Sequence, residues 1–320
     1  MELLAEPGVR LLVLDDPSDT WGHGVAAFRD ELGAFEPDGE PEVVERGPVR
    51  AAVRLPVRWG QSSAELTYYL CDGLARVDVC IVVEWRERHK FLKFAIPTAL
   101  EQARATFEVP YGAIEREANG EEEPLQRWLD LSGTISGRPA GLALVNDCKY
   151  GGDVLGSEMR LSLARSPIYA FHDPAKPEPG KTYRYLDQGE QVIRLRLVPH
   201  AGSWQEAGVV REAESLNAPL YFRHETIQDG QVAFYGSAVE LKPPNLILTV
   251  LKKAEQGDGL VVRFYESAGR ATEASLDLHF VEASWHGHVG PFEIKTILFD
   301  LVEGTAREVD MLEQRAAPGG

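Results

Sequence analysis

The side chains able to carry chemistry at neutral pH are few. Histidines stand at positions 23, 89, 172, 200, 224, 279, 286 and 288. His286 and His288 are two apart, a spacing that places both rings on one face of a strand and could present two imidazoles to a metal. No third ligand is local, and the pair follows Trp285 in a glycine-rich stretch, so a solvated loop is the expectation. HExxH, CxxC and His-x-Asp are all missing, which argues against a metal held by this chain. GxGxxG and GxxxxGK[ST] are absent, GxSxG is absent, and the segment NDCKYGGDV lacks the strand-to-helix context that cradles phosphate. The three cysteines, Cys71, Cys80 and Cys148, are too few and odd in number for a disulfide framework. They fit a reducing compartment, and Cys80, in mid-strand, reads as a buried inert thiol.

Carboxylates are the opposite case, with 50 Asp and Glu in 320 residues. Glycoside cleavage takes a pair of them, about 5 Å apart for retention and about 6.5–9.5 Å for inversion, but so many acids always offer pairs and the count decides nothing. Glu121, Glu122 and Glu123 read as a solvated loop. Asp15, Asp16 and Asp19, at the end of the first strand, read as turn chemistry. Two loops combine aromatic faces with hydrogen-bonding groups as sugar sites do. They are Asp19-Thr20-Trp21-Gly22-His23 and Asn146-Asp147-Cys148-Lys149-Tyr150-Gly151-Gly152-Asp153. The competing reading is two ordinary loops whose aromatics cap a sandwich edge.

The elements that position these loops are strands. Val77, Val79, Ile81, Val83 and Trp85 alternate with polar residues, the period of a half-buried strand. In 51–59 the alternation puts Ala51, Val53, Leu55, Val57 and Trp59 inward and a basic face of Arg50, Arg54 and Arg58 outward. The same signal recurs at 66–70, 91–94, 193–197, 260–264 and 276–280, while 142–145 and 246–251 read as deeply buried strands. Asp72-Gly73, Asn119-Gly120, Asp229-Gly230 and Asp258-Gly259 are turn dipeptides. Helical windows are confined to 24–32 and 205–216, and 173–180 reads as a proline-stiffened loop. Strands following strands give an all-β fold of sandwiches rather than βαβ units. The pattern pauses at 203–220, which divides the chain into a large sandwich at 1–215, a smaller one at 216–303 and a tail at 304–320, frayed over 315–320.

Net charge is −17, so nucleic acid and anionic membrane surfaces repel this chain, whereas neutral sugars do not. No run approaches 18 apolar residues and the first residues lack a basic n-region. The expected location is the cytoplasm.

The chain resembles the C-terminal half of bacterial α-mannosidases of glycoside hydrolase family 38. The resemblance rests on DDPSDTWGHGV (15–25), VEWRERHKFLKFAIP (83–97), PYGAIER (110–116), EEPLQRWLDLSG (122–133), GLALVNDCKYGGDVLGSEMRLSLARSP (141–167), VPHAGSW (198–204), NLILTVLKKAEQGDGLVVRFYE (245–266) and PFEIKT (291–296). It implies a galactose-mutarotase-like double-sheet sandwich followed by a smaller β-sandwich. It also implies that the carboxylate pair and a zinc bound partly by His-x-Asp belong to an N-terminal catalytic domain or subunit, so that no cofactor sits in this chain. Carried over by position, Trp21 and His23 would line the sugar subsite, Asp147, Lys149 and Tyr150 the next wall, and Arg165 and Tyr169 the leaving-group side. Cys148 and Gly152 depart from the family pattern, which has a small hydroxyl and an aromatic there.

Three readings follow. The first is the carbohydrate-binding, pocket-completing part of an α-mannosidase that needs a catalytic partner. The second is a free-standing sugar epimerase or lyase of mutarotase-like fold, with His172, His200 and His224 as acids and Glu225 as base. The third is a non-catalytic carbohydrate-binding module. An apolar docking face, and with it self-association into a homo-oligomer, is expected of such a sandwich.

Overall fold

The structure is a computed structural model that describes all residues except 1, 7, 228, 230–235 and 315–320. The turn expected at Asp229-Gly230 and the fraying expected at 315–320 lie outside the described residues. In chain order the strands are β1 (Arg10–Asp15), β2 (Glu31–Ala34), β3 (Glu36–Pro37), β4 (Glu42–Arg46), β5 (Arg50–Trp59), β6 (Ser62–Cys71), β7 (Val77–Trp85), β8 (Lys90–Pro97), β9 (Glu101–Val109), β10 (Gly112–Arg116), β11 (Glu123–Pro124), β12 (Trp128–Ile135), β13 (Arg138–Asn146), β14 (Gly151–Leu155), β15 (Glu158–Arg165) and β16 (Gly189–His200). The helix α1 (Val209–Asn217) follows, then β17 (Val239–Lys242), β18 (Leu246–Lys253), β19 (Gly259–Glu266), β20 (Thr272–Leu278), β21 (Ala283–Val289), β22 (Ile294–Asp300) and β23 (Thr305–Val309). The chain forms two compact units, one of Met1–Val109 with Ala113–Ala218, the other of Pro110–Gly112 with Pro219–Gly320.

The first unit is a double-sheet sandwich. A six-stranded sheet, ordered β11-β14-β15-β8-β1-β2, is matched with a ten-stranded one, ordered β10-β9-β12-β13-β16-β7-β6-β5-β3 with β4 beside β5. Its core draws on alternate residues of both sheets: Val79, Ile81, Val83 and Trp85 of β7, Leu92, Phe94 and Ile96 of β8, and Leu142 and Leu144 of β13. The alternation in β5 is only half realised. Val57 is buried, whereas Ala51 and Val53 are exposed, because β5 lies near the edge of a sheet that six facing strands cannot span. β8 is buried along nearly its whole length. Leu92 and Phe94 enter the core, while Phe91 and Ala95 join Leu12, Leu14 and Phe28 in a second cluster. That second cluster lies on the opposite face of the sheet, since successive strand residues point to opposite sides.

No helix forms at 24–32. Gly22 and Gly24 take positive φ (67° and 71°), the Val25 N–H closes a turn on the Gly22 carbonyl at 3.1 Å, and the chain then enters β2. Left-handed backbone suits glycine and stops a helix before it starts. The window 205–216 does yield α1, entered later than expected through Gly208 at φ 68°. Its Val209, Val210 and Ala213 are buried, Glu214 pairs with Arg127 at 2.6 Å and Glu212 with Arg196 at 2.9 Å.

Close packing beside α1 explains one glycine. His200 Nε2 lies 2.8 Å from Asp130 Oδ1, and a Cβ at Gly141 would sit 2.1 Å from the His200 ring. Gly141→Ala is therefore expected to destabilise the fold by about 3 kcal/mol, since the ring must leave and strand a buried carboxylate. Urea unfolding measures it; a cost below about 0.5 kcal/mol would show that the ring moves freely.

The second unit pairs a three-stranded sheet, β17-β20-β21, with a four-stranded one, β18-β19-β22-β23. Leu246, Val262, Phe264, Leu276, Leu278, Val289, Ile297 and Phe299 form its core. The run 246–251 is not deeply buried: β18 is an edge strand, and Leu248 and Leu251 are exposed. The tail expected from 304 is shorter, because 305–309 form β23, paired with β22 from Thr296↔Val309 to Asp300↔Thr305. His286 and His288 are on β21 rather than in a loop, both exposed, and His288 Nδ1 contacts Glu273 at 2.9 Å. Buried Glu266 accepts N–H groups from Ala268, Gly269, Arg270 and Phe292 and the Asn245 amide, so it organises turns and has no capacity left for catalysis.

Candidate functional site

The first loop, 16–25, is shaped by two aspartates. Asp19 Oδ1 accepts the N–H of Trp21 at 3.0 Å and of His23 at 3.1 Å, an Asx turn in which a short carboxylate replaces a backbone acceptor. Asp19 Oδ2 contacts His23 Nδ1 at 2.8 Å and accepts the Asp173 N–H at 3.0 Å. Burial opposes ionisation of Asp19, but the His23 ring and these N–H donors outweigh it and hold the carboxyl far below the usual carboxylate range. Asp16, fully buried, holds Arg165: Nε donates to Oδ2 at 2.8 Å and Nη2 to Oδ1 at 3.3 Å.

The second segment, 165–173, follows β15 and is 148 residues further along the chain. Thr20 Oγ1 donates to the Ile168 carbonyl at 2.6 Å and accepts the Phe171 N–H at 2.9 Å. Arg165 completes the junction, donating to the carbonyls of Thr20 at 3.0 Å and Asp19 at 2.6 Å and to Ser18, with Phe28 beneath its guanidinium at 5.5 Å. The result is an aromatic group at the surface. Trp21 and His172 have ring centroids 5.4 Å apart, and His23 and His172 4.5 Å apart. Trp21 is 58% and Tyr169 64% exposed, so both rings are accessible to a ligand.

The third segment, 146–150, joins β13 to β14. Asn146 Oδ1 accepts the N–H groups of Cys148 (3.1 Å) and Lys149 (2.7 Å). Asp147 accepts the Arg194 N–H at 3.0 Å, and Tyr150 is 63% exposed. A relay ties this loop to the others: Lys149 Nζ donates to Gln191 Oε1 at 2.8 Å, Gln191 Nε2 to the Asp187 carbonyl at 2.9 Å, and Asp187 Oδ2 accepts the Arg165 N–H at 2.8 Å. Partial burial, with the hydrogen bond and charge of Asp147, pushes the Cys148 thiol up to about 12. Alkylation of Cys148 at pH 8 is therefore expected to run more than about tenfold slower than that of a free cysteine peptide, and to accelerate only above about pH 10. Peptide mass spectrometry across pH checks this, and rapid labelling at pH 8 would contradict it.

Of the seven expected site residues, Trp21, His23, Arg165 and Tyr169 lie on the two joined segments, and Asp147, Lys149 and Tyr150 on the loop linked through Gln191. Arg165 faces inward with its donors engaged, so it positions the loops instead of offering a free cation. Asp19 heads the loop 19–23 that reads as sugar-like, and His172 figures in the sequence reading only as an acid of the epimerase alternative; that Asp16 and His172 join this loop is not foreseen there, and the hint is the run Asp-Pro-Ser-Asp-Thr with its Asx-turn spacing. Glu122, expected in solvent, hydrogen-bonds Lys93 and Ser162. The neighbouring cavity, lined by Asp19, His89, Phe171 and Asp173 among others, encloses about 110 Å³. Ligand sites usually run to about 300 Å³ or more, so these loops form an open wall.

An all-β chain of two sandwiches, with aromatic and charged groups carried on loops at sheet ends, defines the class. The chain belongs to glycosyl hydrolase family 38: the family described as glycosyl hydrolases family 38 C-terminal domain matches residues 1–179, and that described as the family 38 C-terminal beta sandwich domain matches residues 245–287. Alpha-mannosidase G of Dictyostelium discoideum is 31% identical over 282 residues, 83% of this chain and 24% of the relative. Alpha-mannosidase 2C1 of Homo sapiens is 35% identical over 207 residues, 61% of this chain and 18% of the relative. The chain thus spans a quarter or less of the length of these relatives. A solved family 38 protein from Enterococcus faecalis shares the fold with a TM-score of 0.74 at 14% identity, over 90% of this chain and 39% of that one.

Proposed function

We propose that this chain is the carbohydrate-binding, pocket-completing β-sandwich portion of an α-mannosidase acting on terminal α-mannosides. The supporting observation is the open wall of Trp21, His23, Tyr169 and Tyr150 carried on loops that Asp16, Arg165 and Gln191 lock together. Aromatic faces stack on the apolar face of a pyranose while Asp147 and Lys149 hydrogen-bond hydroxyls. The resemblance to family 38 assigns the catalytic zinc and the carboxylate pair to a catalytic domain or subunit, its His-x-Asp motif having no counterpart in this sequence. The net charge of −17 disfavours nucleic acid. No helix among the described residues is long and apolar enough to cross a membrane, and we place the work of the protein in the cytoplasm, where its thiols stay free.

The test joins the chain to a family 38 catalytic domain and assays an aryl α-mannoside. The joined protein is expected to hydrolyse it and the chain alone is not; Trp21→Ala is expected to raise KM by about tenfold, the loss of one stacking contact. Hydrolysis by the chain alone at an ordinary enzyme rate, or an unchanged KM, would overturn the reading. The epimerase alternative is not favoured. His200 is buried against Asp130, and His224 is exposed on a segment outside the strands, beside an Arg223–Glu225 ion pair.

A further inference from the structure

We propose that Asp19, His23 and His172 bind a divalent transition-metal ion, for which zinc is the probe. One donor atom from each residue lies within 4.8 Å of the other two, the one such group of three or more among the described residues. A carboxylate with two imidazoles is a set that zinc takes at bonds of about 2.0–2.2 Å.

The backbone that carries the donors is already organised. Asp19 sits in its own Asx turn and accepts the Asp173 N–H, while Thr20 is bonded to both Ile168 and Phe171. His23 and His172 therefore face each other from segments joined by several hydrogen bonds, with ring centroids 4.5 Å apart. His172 Nδ1 contacts the Asp173 carbonyl, the kind of outer contact that fixes the tautomer of a ligating imidazole and leaves Nε2 free to bind. The nearby Arg165 guanidinium is neutralised by Asp16 at 2.8 Å, which limits its repulsion of a cation. His23 and His172 are exposed while the Asp19 side chain is 5% exposed. Solvent or a ligand hydroxyl can then fill the open coordination positions, as in an exchangeable site rather than a closed structural one.

This inference is independent of the mannoside reading, since it concerns the chain with no sugar and no partner domain. The experiment is a calorimetric titration of the full chain, free of any affinity tag, with zinc alone. One zinc per chain is expected. His23→Ala and His172→Ala, both at exposed positions, are each expected to weaken binding by at least about tenfold while keeping the β-sheet circular dichroism of the parent. The double variant His286→Ala/His288→Ala, which removes the other close histidine pair, is expected to bind as the parent does. Excess zinc is expected to raise the melting temperature of the parent and not of His172→Ala. Absence of binding would overturn the proposal. So would affinity unmoved by His23→Ala and His172→Ala, or affinity lost only in the His286/His288 variant.

Discussion

Asp153→Ala is expected to lower the free energy of unfolding by about 3–5 kcal/mol, the range for breaking a buried ion pair from one side. Asp153 is 1% exposed and stands between two buried cations, Lys93 at 0% and Arg160 at 1%. It accepts from Lys93 Nζ and from Arg160 Nε at 2.6 Å. Removing the carboxylate leaves Lys93 with Glu122 alone and leaves Arg160 with only a distant Glu31 at 4.0 Å. Asp153→Asn retains an acceptor but no charge, so a smaller loss of about 1–3 kcal/mol is expected. Urea unfolding at neutral pH should give the order parent, Asn, Ala. A cost under about 1 kcal/mol for Ala would mean that water reaches these cations and that the network is not the support described.

The same network bears on the candidate site. Glu122, which also holds Lys93, donates its backbone N–H to the Ala26 carbonyl at 2.7 Å, and Arg29 donates to the Asn119 carbonyl at 2.7 Å. The chain leaving the aromatic loop is thus pinned to the face of the sheet where the charges are buried. Loss of the network should loosen 25–30 ahead of the core, as a region of low local stability opens first.

Arg165→Ala is expected to uncouple the two segments that carry the aromatic wall. Its guanidinium is the one group that reaches Asp16, Ser18 and the carbonyls of Asp19 and Thr20 together. Without it Asp16, fully buried, keeps the Ser18 N–H and hydroxyl but loses its only cation among the described residues, a local penalty of about 3–5 kcal/mol that the loop can relieve by opening. Amides of 18–25 should then exchange with deuterium about a hundredfold faster or more, while β7 and β13 stay protected. Arg165→Lys restores a charge but not the planar fork, so partial recovery is expected. In the joined enzyme, KM for the mannoside should rise along with exchange. Unchanged exchange at 18–25 in Arg165→Ala would refute the clamp.

The periodic strands were legible because alternation is a local property. In β7, one burial face recurs every second residue and needs no knowledge of the neighbours. The same logic failed at β18 and in the outer half of β5, where whether an apolar face is covered depends on sheet position and not on the strand itself. It failed at 24–32 for a different reason: two glycines with positive φ outweighed a weak helical spacing.

Local alternation and turn dipeptides are enough to read an all-β chain of two sandwiches, and the loop motifs are enough to carry its likeness to family 38. The tertiary structure alone decided which of those groups meet. Arg165 finds Asp16 across 149 positions, Lys93 finds Asp153 across 60, and His172 comes to lie over His23. Such encounters follow from the register and order of strands distant in sequence, and a buried charge is tolerated only where that register supplies its partner.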